Sequence, residues 1–285
     1  GAFLVPIQRN GANVPIFAIH VLGIDCAFFR PLSARLGDVQ PMYGLGQPTH
    51  DADLRTTGPT AVAEIAAEYV AEINRVAPEG PLVLAAISLG GVVAFETAQQ
   101  LVGAGREVSL LALFDAAGPA AVEMQDDLGL RGRLATHVRA LRDDPRDYVV
   151  GRAAYQLKKL RRAVELGEAE LRRRLDLEPN HRLEVRRFIE ENIQSQLNYE
   201  FRPYPAPMAV YKAAEDPFTG HFLEIDLGWR PVANGGLTIR VVEGDHLTMV
   251  AEPHVEQLAV VLRTDIEAAL GNHDGPIPAN RGSRR

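Results

Sequence analysis

The chain has 285 residues, 46% of them hydrophobic, with 30 basic and 37 acidic side chains and a net charge of −7. That size suits one large core or two modest ones, and the acidic balance excludes bulk nucleic-acid binding, which needs a basic surface. Cys26 is the only cysteine, so no intramolecular disulfide can form. No apolar run approaches the ~20 residues of a membrane span, and the N-terminal GAFLVPIQRNG lacks the charged start and long apolar middle of a secretory signal. The reading is a soluble, cytoplasmic protein with no membrane partner.

In chain order, strands are expected at IFAIH (16–20), PMYGL (41–45), LVLAAI (82–87), SLLALF (109–114), PMAVYKA (207–213) and LTIRVVE (237–243). Helical patterns lie near residues 27–37, 59–77, 91–104 and 252–270. The segment TGPTAVAEIAAEYVAEINRV repeats its apolar residues at i, i+3, i+4 and i+7, the spacing of an amphipathic helix. Short strands, apolar on both faces and alternating with helices, imply an α/β fold with a mostly parallel sheet.

Between about residues 121 and 202 the strand signal stops and only charged helical pattern remains. The sheet is incomplete without the strands that follow, so the expectation is one domain over residues 1–270 with a helical insertion at about 121–202. An insertion there lies above the carboxyl ends of the strands, where open α/β sheets bind ligands. Residues 271–285, GNHDGPIPANRGSRR, are polar with Gly and Pro and read as a disordered tail. The basic runs KKLRR (158–162) and RRR (172–174) have two readings: solvated faces balanced by Glu165, Glu168 and Glu170, or a patch that steers an acidic partner.

The stretch LVLAAISLGGVVAFE places Ser88 where an apolar strand turns into a helix. A nucleophile elbow needs small residues two before and two after the serine, here Ala86 and Gly90. A helix-capping serine would give the same local pattern. A serine nucleophile requires a general base, and on elbow folds the chain order is Ser, then Asp or Glu, then His. His246 in VVEGDHLTMV follows a strand directly, whereas His137, His181 and His254 read as solvated surface imidazoles. Asp115 ends the strand after the serine's strand, and Asp216 follows the next one; both are candidates for the orienting acid. An oxyanion hole would use the backbone N–H of Leu89 and of Val21, the latter just past the strand IFAIH. No metal is called for.

LVPIQRNG, IFAIHVLG, VAPEGPLVLAAISLGGVVAFETAQQL, LALFDAAGP and LGWRPVANGGLTIRVVEGDHLTMVAEPHV together resemble type I thioesterase domains. These are the chain-terminating modules of nonribosomal peptide and polyketide synthases. The likeness spans nearly the whole chain except the insertion and the tail. It implies an α/β-hydrolase fold, a helical lid, and Asp115 as the acid beside Ser88 and His246. It implies no cofactor bound by the domain itself. The substrate, an acyl or peptidyl chain, would arrive on the phosphopantetheine arm of an upstream carrier protein and leave by macrocyclisation or hydrolysis. Two other functions stay in view: a free-standing editing (type II) thioesterase, and an inactive hydrolase serving as a binding module. Oligomeric state is not legible.

Overall fold

A computed structural model describes residues 3–19, 26–46, 59–120, 145–175, 177–178, 180–215 and 225–271. Among these residues the strands form one seven-stranded sheet in the order β1-β3-β2-β4-β5-β6-β7. The strands are β1 (Leu4–Gln8), β2 (Ile16–Ile19), β3 (Met42–Leu45), β4 (Leu82–Ile87), β5 (Val108–Phe114), β6 (Met208–Ala213) and β7 (Leu237–Val242). All neighbours run parallel except β1 and β3.

The central strands are buried along their whole length because helices cover both faces. Successive side chains point to opposite faces, so Ile16, Val83 and Ala85 join one core while Phe17, Leu82 and Leu84 join the other. The first core is closed by α1 (Arg30–Leu36) and by the C-terminal helix Val255–Gly271, which we number α6; both contribute leucines, such as Leu32 and Leu258. The second is closed by α2 (Val62–Val76) and α3 (Gly90–Gly103), through Ile65, Tyr69 and Phe95.

Two differences from the sequence reading have physical causes. β1 is an additional antiparallel edge strand, and Pro6 is tolerated there because edge strands have free donors on one side. β7 is the opposite edge, and it is not covered on both faces: Thr238 and Val241 face solvent.

β5 and β6 are sheet neighbours, yet the chain between them contains α4 (Pro145–Arg174) and α5 (His181–Leu197). The two helices pair antiparallel through Arg182 and Arg186, which reach Glu165 at 3.2 and 3.1 Å, and through Arg162 with Glu190. The arginines of both basic runs are taken up by glutamates: Arg161 by Glu165, Arg172 by Glu168, and Arg173 and Arg174 by Glu170. Solvated, internally balanced faces describe these arginines. On α4, Leu157, Leu160, Val164 and Leu171 are exposed, as is Leu175 just beyond it.

One buried tie fixes the sheet edge that matters most below. Asp265 on α6 accepts from the Tyr211 hydroxyl of β6 at 2.9 Å and from Arg240 of β7 at 3.2 Å. Burial, then the Asp265 charge, hold the Tyr211 phenol well above its ordinary pKa.

Asp265→Ala strands a buried hydroxyl and a guanidinium, and is expected to cost about 2–4 kcal/mol in urea unfolding; a loss under about 0.5 kcal/mol would contradict the tie. Because the folded phenol holds its proton longer than the unfolded one, this contribution is complete below the ordinary tyrosine range and declines as pH rises beyond it. Stability should therefore fall between pH 9 and 11 more steeply in the native chain than in Tyr211→Phe, by up to about 1.4 kcal/mol per pH unit.

Candidate active site

Ser88 and Asp115 occupy equivalent corners. β4 and β5 run parallel with Ile87 opposite Phe114, so each corner residue is the first beyond a paired strand. Both adopt left-handed backbone conformations, φ 54° at Ser88 and φ 43° at Asp115. For residues with a Cβ this strain is of order 1–3 kcal/mol and is characteristic of functional corners. Neighbouring backbone holds each in place: the Ser88 N–H donates to the Phe114 carbonyl at 3.1 Å, and the Asp115 N–H donates to the Tyr211 carbonyl at 2.8 Å.

After Ser88 the chain enters α3 at once, with the Gly91 N–H donating to the Ser88 carbonyl at 3.0 Å. A Cβ on Gly91 would stand 2.7 Å from the Cβ of Ala116, so glycine is what lets the helix begin this close to the end of β5. The Leu89 N–H lies at the start of α3 and donates to no group among the described residues. Unpaired donors at a helix N-terminus suit a developing negative charge.

His246 lies beyond β7 and reaches across β6 to Asp115, its Nδ1 2.7 Å from Asp115 Oδ2. A carboxylate only accepts, so Nδ1 carries the proton and Nε2 is left as the basic nitrogen. The other Asp115 oxygen accepts from the Ala213 N–H at 3.1 Å. Both oxygens of the carboxylate are thus committed.

A tight turn aims the imidazole. Asp245 Oδ1 accepts from the N–H groups of Leu247 and Thr248, both at 2.9 Å, while the Asp245 N–H donates to Thr248 Oγ1 at 2.9 Å. The Thr248 and Leu247 N–H groups hold the Asp245 carboxyl below the usual carboxylate range. The turn therefore stays charged and intact down to a lower pH than a free aspartate would allow. Gly244 has φ 92°, and a Cβ there would come within 2.9 Å of the His254 ring. His254 itself differs from expectation. It precedes α6, and its half-buried ring packs on Gly244 with Nδ1 lacking a hydrogen-bond partner; the Glu243 carboxylate is 3.9 Å away.

The structure thus brings Asp115 and His246 into contact and sets Ser88 at the adjoining corner. Val21 and the alternative acid Asp216 lie outside the described residues, as does His137; of His181 only the backbone is described. The sequence reading singled out the glycine two residues before His246, Gly244, as what frees the histidine from the strand, but not Asp245. A short polar residue directly before the histidine, with a threonine three positions later, is the signal that could have marked the turn. Among the described residues no three His, Cys, Asp or Glu side chains cluster as a metal site would require, and no helix is long and apolar enough to cross a membrane.

Residues 14–266 match the thioesterase domain family. Chondramide synthase cmdD of Chondromyces crocatus is 26% identical over 290 residues, a span covering 96% of this chain and 7% of that protein. The chain therefore corresponds to a small part of that relative's length. Among solved structures, the NocB thioesterase domain from the nocardicin cluster superposes with a TM-score of 0.60 at 21% identity, covering 95% of this chain and 100% of that one. The type II thioesterase BorB from the borrelidin cluster superposes with a TM-score of 0.59 at 14% identity, covering 94% of this chain and 97% of that one. At such identities the structural likeness speaks to fold. The sequence match runs from just before β2 into the last helix, and on that ground the chain belongs to the thioesterase domain family, built on the α/β-hydrolase fold.

Proposed function

We propose that this domain is a chain-releasing thioesterase working through a Ser88–His246–Asp115 triad. The observation that carries the reading is the 2.7 Å Asp115–His246 hydrogen bond beside a strained serine corner at the carboxyl edge of the sheet. Ser88 Oγ attacks the thioester carbonyl carbon while His246 Nε2 takes its proton. The Leu89 N–H, with that of Val21, stabilises the oxyanion. The C–S bond then breaks, and the imidazolium returns the proton to the departing thiol. Asp115 fixes the tautomer and stabilises the imidazolium. An acyl-Ser88 ester remains.

Release requires a second nucleophile: water gives a free acid, and a hydroxyl or amine of the chain itself gives a ring. The insertion at about 121–202 acts as a lid in this reading, within a single hydrolase domain spanning residues 1–270. The exposed apolar face of α4 supports that role, since an acyl chain would offer it cover. Intramolecular attack wins only if the chain is held in near-attack geometry and water is scarce. The acyl or peptidyl chain is delivered on a phosphopantetheine arm by an upstream carrier protein. The share of chondramide synthase cmdD matched by this chain supports such a setting.

A second reading is an editing thioesterase, since the type II thioesterase BorB is built on the same fold. Faster turnover of acetyl than of full-length acyl thioesters would favour editing, and the reverse would favour chain release.

Incubation with a fluorophosphonate should add one phosphonyl mass to the native chain and none to Ser88→Ala; an adduct persisting in that variant would refute the nucleophile. Asp115→Asn leaves the geometry but supplies the wrong tautomer partner, and should lower acyl-thioester turnover about 10⁴-fold. A loss of less than about tenfold would remove Asp115 from the triad.

A further inference from the structure

The insertion hangs from two limbs, and both are fastened beside α3, the helix that begins just after Ser88. The outgoing limb follows Asp115. There the Ala116 carbonyl accepts from the Trp229 indole N–H at 2.7 Å, and the Gly118 N–H donates to the Leu227 carbonyl at 2.8 Å. The returning limb follows α5. Its Phe201 ring packs 5.4 Å from Phe95 of α3 and 5.5 Å from Trp229.

A charged side chain of α3 lies within this apolar surrounding. Glu96 on α3 is 4% exposed and collects three donors: the Tyr199 hydroxyl, Arg202 at 2.9 Å and the Gln100 amide at 2.9 Å. Tyr199 and Arg202 belong to the returning limb. Gln99, the residue before Gln100 on α3, donates hydrogen bonds from its side-chain amide to the Arg202 and Pro203 carbonyls, both at 3.1 Å. Burial, followed by the Glu96 hydrogen bond, raises the Tyr199 pKa far above the ordinary tyrosine value, which keeps the hydroxyl a donor.

Burying a carboxylate is costly, and an apolar side chain would fill the same space with less penalty. A carboxylate with three aimed donors gives instead one defined position of the limb relative to the helix. Burial of apolar surface alone is non-directional and would tolerate sliding.

We propose that Glu96 is a positioning residue: with Tyr199 and Arg202 it forms a clasp that locks the returning limb of the insertion to the nucleophile helix, and so sets selectivity for long acyl chains. The selectivity part rests on the triad and lid reading above, whereas the clasp itself does not. Opening the clasp lets α5 shift relative to Ser88. A long chain that must lie under the lid then loses binding, while a small ester that needs only the triad does not.

The test uses the full chain with Glu96→Gln, Tyr199→Phe and the double variant, compared at matched folded fraction. The substrates are p-nitrophenyl acetate and the N-acetylcysteamine thioester of dodecanoic acid. Each single variant should raise KM for the dodecanoyl thioester about tenfold while acetate turnover stays within about twofold. The double variant should be little worse than either single one, because both break one device. Amide hydrogen exchange in residues 181–204 should rise in every variant. Equal losses on the two substrates would reduce Glu96 to a structural role, and unchanged kinetics would remove it altogether; either result overturns the proposal. Should the native chain hydrolyse neither substrate, the triad reading fails, and exchange alone decides the clasp: faster exchange in Glu96→Gln upholds it, and unchanged exchange overturns it.

Discussion

The Asp115 carboxylate is the point on which the site depends. One oxygen is held by the Ala213 N–H and the other by His246, so a single side chain joins the ends of β5, β6 and the turn after β7. This is feasible only in a parallel arrangement, where consecutive strands deliver their carboxyl ends to the same edge. An antiparallel neighbour would send the serine and the aspartate to opposite edges. The sheet order β4-β5-β6-β7 is therefore a chemical requirement as much as an architectural one.

Holding the site has a cost in backbone strain, at Ser88 and again at Asp115. Ladder bonds to Phe114 and Tyr211 offset it, since each corner residue keeps one sheet hydrogen bond before turning away. Tyr211 serves twice, because its carbonyl seats Asp115 while its hydroxyl binds Asp265 on α6. Arg240 brings β7 into the same tie. The strand that presents His246 is an exposed edge strand, so this polar tie to α6 does for it what covering helices do for β4 and β5.

Much of this was legible in the sequence, for physical reasons that differ by element. Strands buried on both faces leave uninterrupted apolar runs, so β4 and β5 stand out, and a lone serine or aspartate at the end of such a run is conspicuous. β1 was missed because Pro6 and Gln8 interrupt its apolar character, which an edge strand tolerates and a central strand would not. His254 was misplaced because the helix starts at Val255, so the histidine stands just before it, its carbonyl accepting from the Gln257 N–H. Asp245 escaped notice because its role is a local turn with no periodic signature. Glu96 had a signal, one acid in the apolar helix run GGVVAFETA, but its partners on the returning limb lie 103 and 106 residues away and only the fold brings them together.

The most direct test of the account is a crystal structure of the chain after reaction with a fluorophosphonate ester. Phosphorus bonded to Ser88 Oγ, with His246 Nε2 within about 3.2 Å of a phosphonyl or seryl oxygen and Nδ1 still on Asp115, is the predicted result. Phosphorus on another residue, or an imidazole turned away from both Ser88 and Asp115, would contradict it.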